Sequence, residues 1–192
     1  DLDIFKFLWV GRIIPWKGID ILINLSVIFR KKGFTNFKFY IFGDFDNEIY
    51  KSEIFSMIQK NDLKSFFEFQ GYKSHDNIFK HYYDLFIHTS KMPEPFGRTI
   101  IENMYQGVPV FATEMGGVTD IVKDKYNGFT YGINDIDNLS NIILDFIHND
   151  DLKKKIISNA KVTVEKYFSG KLQIEQINSL YENLWRKSIL YL

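Results

Sequence analysis

Short apolar runs, closed by a glycine or a polar turn, alternate along the chain with amphipathic stretches. The runs Phe5 to Val10, Phe37 to Asp44, Phe66 to Gly71, Leu85 to Ser90, Val108 to Thr113 and Gly128 to Gly132 predict strands. Most are apolar throughout rather than at every second position, as in strands buried on both faces. Between them, Asp20 to Arg30, Ile49 to Lys60, Asp76 to Tyr83 and Gly97 to Tyr105 show helical periodicity. From Ile136 onward the pattern is helical, in about three segments. Lys31, Lys32 and Gly33 read as the end of the first helix, with cations at its negative pole and glycine as a left-handed cap. A basic patch for a phosphate or lipid head group is the competing use of these residues. The alternation predicts an α/β fold: a doubly wound parallel sheet of about six strands, covered by helices on both faces.

Composition narrows the function classes. The chain has 192 residues, 45% apolar and 17% aromatic, enough for one filled core. The expectation is a single domain over 1–192, with 166–192 as a C-terminal helical segment. Formal net charge is zero, so no global field draws the chain to nucleic acid or to an anionic membrane. There is no cysteine, which excludes disulfides and thiol chemistry and fits a reducing, cytoplasmic compartment. No apolar run is long enough to span a bilayer, and the opening residues carry no signal-peptide pattern. The first strand begins almost at once, as expected of a fragment cut at a domain linker.

In an open parallel sheet, ligands bind beyond the carboxyl ends of the strands. The dinucleotide fingerprint G-x-G-x-x-G and the P-loop are both absent after the first strand, where the segment is "GRIIPWKG". That segment offers Arg12 and Lys17 on a loop entering a helix. A grip on phosphate and two solvated loop cations fit it equally well. The stretch "MPEPFGRTIIENMYQGVPVFAT" is more constrained. Pro95 keeps Glu94 out of a helix. Gly97 permits an unusual turn, and the helix that follows offers free amides and a positive pole to an anion. Glu102 lies ~6 to 8 Å along that helix. Ionised carboxylates on either side of such a terminus are acceptors for sugar hydroxyls. The ligand so described is a nucleoside diphosphate sugar, whereas either acid taken alone reads first as a surface acid at Glu94 or a solvated helix residue at Glu102. The histidines show no metal-ligand spacing.

Taken together, these residues look like the nucleotide-sugar-binding C-terminal half of glycosyltransferase family 4, a retaining family of GT-B fold with a Rossmann-like sheet. The resemblance runs from about Phe5 to Tyr181 and rests on "VGRIIPWKGID", "FQGYKSHDNIFKHY", "EPFGRTIIENMYQGVPVFAT" and "GGVTDIVKDKYNGF". The spacing of Glu94 and Glu102 matches the family's E-x7-E motif. It implies that Arg12 and Lys17 hold the diphosphate, Glu94 meets hydroxyls of the transferred sugar and Glu102 meets the ribose. Amides around Phe96, Gly97, Arg98 and Thr99 would meet sugar and phosphate oxygens, and Gly71, Tyr72 and Lys73 the base. The catalytic set it implies is Arg12, Lys17 and Glu94, with no metal and no cofactor. The implied reaction moves a sugar to an acceptor hydroxyl with retention, in polysaccharide or glycolipid synthesis. The acceptor, a saccharide or lipid-linked saccharide, would contact a missing N-terminal half of the same chain. Peripheral contact with the inner face of the membrane would come through that half. This chain alone would bind donor but hardly transfer sugar.

The family's acid after the Gly-Gly turn is usually Glu, and here it is Asp120. The end of the chain, Trp185 and Ile189 to Leu192, is expected to seek a partner surface on the missing half. His88 reads as a core or strand-end histidine rather than a catalytic one. His75 lies in the loop near the base site. Asp44 reads as a turn residue, Trp16 as packing or as a shield for the phosphate loop, and Lys153 to Lys155 as a solvated helix face. The competing functions are a non-catalytic sugar-nucleotide-binding or assembly module, and another GT-B enzyme such as a nucleotide-sugar epimerase.

Overall fold

The computed structural model describes residues 4–170, 174–175 and 177–181. Six parallel strands form one sheet: β1 (Phe5–Val10), β2 (Phe37–Phe42), β3 (Phe67–Gly71), β4 (Leu85–His88), β5 (Val110–Thr113) and β6 (Phe129–Tyr131). Their order is β3-β2-β1-β4-β5-β6, so the winding reverses between β1 and β4 and opens a crevice at their carboxyl ends. Because successive side chains point to opposite faces, β1 sends Phe7 and Trp9 to one core and Leu8 to the other. The first core lies under α1 (Ile19–Lys31), α2 (Glu48–Lys60) and α6 (Ile136–Ile147). The second lies under α3 (His75–Ile78), α4 (Arg98–Gln106), α5 (Val118–Ile121) and the latter half of α7 (Asp150–Tyr167).

The first helix ends as its sequence predicts. Gly33 is left-handed, its amide donates to the Arg30 carbonyl (3.0 Å), and the Phe34 amide donates to the Phe29 carbonyl (2.9 Å). The Phe34 and Phe29 rings then meet at 5.2 Å, the apolar contact that accompanies this cap. Lys32 is not part of a free basic patch. Its ammonium bonds Asn141 Oδ1 (2.6 Å) and Ser140 Oγ, tying α1 to α6.

Two elements differ from the pattern-based reading. The helix expected over Asp76 to Tyr83 is a single turn, α3. Beyond it the Tyr83 ring is drawn into the core near Tyr40 and Phe42, and Asp84 exchanges backbone and carboxylate bonds with Lys6. Those anchors pull the chain straight into β4. The short helix α5 was not expected, since four residues carry no readable period. In "KYNGF", Asn127 is fully buried. Its Oδ1 accepts from the Lys123 amide (2.7 Å), and its Nδ2 donates to the Ile121 carbonyl (3.0 Å) and Thr163 Oγ1 (3.2 Å). Asn127→Ala strands these buried groups and is expected to cost about 1–3 kcal/mol. Urea unfolding checks this, and an unshifted midpoint would remove Asn127 as an anchor of the α5–β6 turn.

No helix among the described residues is long and apolar enough to cross a membrane. Residues 177–181 are helical. Trp185 and Ile189 to Leu192 lie outside the described residues.

Candidate functional site

The loop between β1 and α1 is strapped to the end of β4. Trp9 Nε1 donates to Thr89 Oγ1 (2.9 Å), and Thr89 Oγ1 donates to the Lys17 carbonyl (2.6 Å). The Lys91 amide donates to the Trp16 carbonyl (2.7 Å), and the Lys91 ammonium pairs with Asp20 at 2.5 Å. These bonds fix the backbone on both sides of the Lys17 side chain. The Lys17 ammonium sits 4.5 Å from the Trp16 ring centre and 2.7 Å from Glu94 Oε2. Trp16 therefore borders the cation as well as packing.

Glu94 is the centre of this cluster. Pro95 keeps it extended, and it bridges Gly116 from the β5–α5 turn. The Gly117 amide donates to the Glu94 carbonyl at 2.8 Å, and a Cβ at Gly117 would come within 2.7 Å of the Pro95 carbonyl oxygen. Only glycine lets the two loops approach so closely. Glu94 Oε2 takes Lys17 Nζ at 2.7 Å, Ser90 Oγ at 3.0 Å and His88 Nε2 at 3.5 Å. None of the described residues hydrogen-bonds Oε1. The bond from His88, with those from Lys17 and Ser90, outweighs burial and lowers the carboxyl to about 2. Glu94 is thus an ionised acceptor over the whole physiological range.

The helix α4 begins beside this acid. Gly97, at φ 75°, is its N-cap, a conformation other residues rarely adopt, and no side chain caps this end. The first amides, Arg98 and Thr99, therefore keep the unsatisfied donors of a helix start. Arg98 is largely exposed and pairs with Glu102 one turn on, at 3.2 Å. Such an exposed pair contributes little, so it is a weak competitor for any hydroxyls that claim Glu102. The Phe96 ring turns away and meets Phe168 edge-on at 6.2 Å, which leaves only its backbone for the site.

The remaining candidates form a second group, at the ends of β1 to β3. Arg12, Asp44, Asp46, Tyr72 and Lys73 line a cavity of about 350 Å³. Arg12 is exposed and stands 3.6 Å from Asp46. Asp44 Oδ1 accepts the Tyr72 amide at 3.2 Å, so Asp44 does more than turn the chain: it pins Gly71-Tyr72 to the end of β2. His75 packs on Phe79 (4.7 Å) and is not among the cavity's lining residues. Lys153 pairs with Asp150 on the surface of α7. The structure thus brings Lys17 to Glu94 and Arg12 to the Tyr72 loop, with each cation turned onto a carboxylate. Sequence reasoning passed over Ser90 and Asp46 and set His88 aside. Among the described residues no three His, Asp or Glu side chains gather as a metal site.

Residues 2–163 match the family model described as glycosyl transferases group 1. The uncharacterized glycosyltransferase MJ1178 of Methanocaldococcus jannaschii is 34% identical over 178 residues, covering 92% of this chain and 48% of that protein. The capsular polysaccharide biosynthesis glycosyltransferase CapM of Staphylococcus aureus is 28% identical over 97% of this chain and 48% of its own length. The chain thus spans about half the length of these curated relatives. The crystal structure of Anabaena Alr3699/HepE in complex with UDP and glucose superposes with a TM-score of 0.85 at 29% identity, over 94% of this chain and 48% of that one.

Proposed function

The chain belongs to the glycosyl transferases group 1 family, and from that premise we propose that it is the donor-binding half of a retaining glycosyltransferase of family 4, with the GT-B arrangement of two halves. The observation that carries this is the Glu94 carboxylate. It is held by Lys17, Ser90 and His88 on one oxygen, open on the other, and placed beside an uncapped helix start. The donor is a nucleoside diphosphate sugar. The complex of Anabaena HepE with UDP and glucose supports that donor class.

In this reading the base lies against Gly71, Tyr72 and Lys73, in the cavity that Arg12 borders. Glu102 accepts the ribose hydroxyls, displacing Arg98. Arg12, Lys17 and the Arg98 and Thr99 amides face the diphosphate, and Glu94 Oε1 accepts hydroxyls of the sugar. When the bond from the anomeric carbon to the diphosphate breaks, negative charge grows on the departing phosphate. The helix amides meet that charge already oriented, and Arg12 and Lys17 turn from Asp46 and Glu94 toward it as the diphosphate binds. The acceptor oxygen bonds on the same face, and its proton passes to the departing phosphate oxygen. Glu94 orients the sugar and forms no covalent bond. The acceptor, a saccharide or lipid-linked saccharide, contacts the other half of the protein, in polysaccharide or glycolipid synthesis.

Calorimetric titration of this chain with UDP, GDP, ADP and TDP tests the reading, with Arg12→Ala and Glu102→Ala beside it. One nucleotide is expected to bind, more weakly in both variants. At 100 times its dissociation constant it should raise stability by about 2.7 kcal/mol, which thermal melting reads independently. Binding left unchanged by both substitutions would move the donor elsewhere.

A further inference from the structure

His88 ends β4 with only 6% of its surface exposed, inside a closed set of bonds. Its Nε2 lies 3.1 Å from Ser90 Oγ and 3.5 Å from Glu94 Oε2. Its Nδ1 lies 3.4 Å from Thr113 Oγ1, and its carbonyl accepts the Tyr131 hydroxyl at 2.9 Å. Proton counting assigns the Nε2 side of the ring. The Ser90 hydroxyl donates to the ionised Glu94, and the Thr113 hydroxyl donates to the Ser90 carbonyl (2.8 Å). Ser90 Oγ and Glu94 Oε2 then both face Nε2 as acceptors, which assigns a proton to Nε2, and Thr113 Oγ1, its own proton spent, likewise faces Nδ1 as an acceptor. Glu94 and Lys17 are the charged groups facing this end of the ring, and Thr113 and Tyr131 hold it from β5 and β6.

We propose that His88 is a positioning residue of the transfer reaction: its Nε2–H, with Ser90, fixes Glu94 Oε2 so that Oε1 faces the sugar of the donor. The proposal rests on the donor-site reading above and adds to it a residue that does not touch the substrate. Lys17 alone would leave the carboxylate free to swing about a single contact. Ser90, just past the end of β4, donates to the same oxygen, and His88 at the strand end backs it with Nε2 3.1 Å from Ser90 Oγ and 3.5 Å from Glu94 Oε2, which locks the carboxylate's rotation. The buried strand end thereby transmits its rigidity to a loop residue, which a catalytic geometry held to a fraction of an ångström needs.

The test has two arms. In this chain without ligand, long-range proton–nitrogen spectra of the imidazoles should show His88 protonated at Nε2, and Glu94→Gln should move its nitrogen shifts. A neutral ring protonated at Nδ1, or shifts indifferent to Glu94→Gln, overturns the proposal. In the protein carrying both halves, His88→Leu is expected to lower kcat by roughly 10²-fold while the donor KM changes far less. His88→Gln, whose amide can donate from nearly the same point, should recover most of that loss. Equal losses in both variants would mean mere packing, and a wild-type rate in a folded His88→Leu variant would end the idea. If the Leu variant does not fold, the Gln variant and the spectra still decide. Absence of nucleotide binding by the wild-type protein would instead overturn the donor-site reading, and with it the proposed use of Glu94. The ligand-free spectra would then report the His88–Glu94 bond by itself, so the two failures are told apart.

Discussion

Glu94→Gln, made in the protein that carries both halves, is expected to lower kcat by roughly 10²-fold or more. The substitution keeps the shape and removes the charge. In the wild type Lys17 and Ser90 donate to one oxygen of the side chain, and His88 Nε2 stands 3.5 Å from the same oxygen. An amide must turn its carbonyl toward them, which aims its NH₂ at the place where Oε1 accepts sugar hydroxyls. The variant therefore presents a donor where the reading requires an acceptor. The same substitution has a signature in stability. The folded carboxyl titrates at about 2, below its ordinary 4.5. A depressed carboxyl contributes stability that is fully present above about 4.5 and lost as pH falls toward about 2. At neutral pH the variant should thus be weaker by about 1–3 kcal/mol. That gap should close between pH 4.5 and pH 2, whereas donor binding by the wild type should show no titration from Glu94 above pH 5. Urea midpoints of both proteins across this range check the sign. A gap that widens in acid would contradict the geometry, and an unchanged kcat would take Glu94 out of the reaction.

The parts of this architecture legible in the sequence are those that local chemistry decides. Strands apolar on both faces announced a covered parallel sheet, and "RKKGF" announced a capped helix end. The site was legible as motifs but not as contacts. Lys17 and Glu94 are 77 residues apart and meet only because β1 and β4 are neighbours in the sheet. No spacing rule contains that. The Gly116-Gly117 pair could be recognised as a motif, but its reason lies in how closely the Glu94 loop crosses it. His88 read as a buried strand-end histidine, and it is one. What the sequence did not disclose is that its Nε2 meets Ser90, 3.1 Å away, and stands 3.5 Å from the candidate catalytic carboxylate. Phe96 stood among the site residues for its backbone amide, and its ring finds a separate place against Phe168 at the end of α7. Arg12 and Lys17 read as one phosphate grip, whereas in the structure each faces a different carboxylate. Ligand charge is what would bring them to a common task.

Phe7→Ala is expected to cost about 3–5 kcal/mol, the largest stability loss of the substitutions considered. Phe7 is fully buried on β1, a central strand of the sheet. Its ring stacks on Phe39 at 4.8 Å and Phe29 at 5.6 Å, with Phe5 at 4.8 Å and Phe37 edge-on at 6.1 Å. Alanine leaves a cavity that β1, β2 and α1 cannot all collapse to fill, and the lost ring pairs place the cost within that range rather than at the area term alone. For a domain of this size the melting temperature should fall by roughly 10 °C. Ile49, 76% exposed on α2, provides the comparison, and its alanine variant should lose less than about 1 kcal/mol. Phe7 lies partway along β1 and faces the core, whereas the candidate site begins past the strand's end at Gly11. Below its melting transition, Phe7→Ala should therefore bind nucleotide with a dissociation constant within about 2-fold of wild type. A variant that stayed folded yet lost binding would show that the carboxyl-edge loops take their geometry from the strand cores beneath them. Straps such as Thr89 to Lys17 would then be insufficient to hold the site alone.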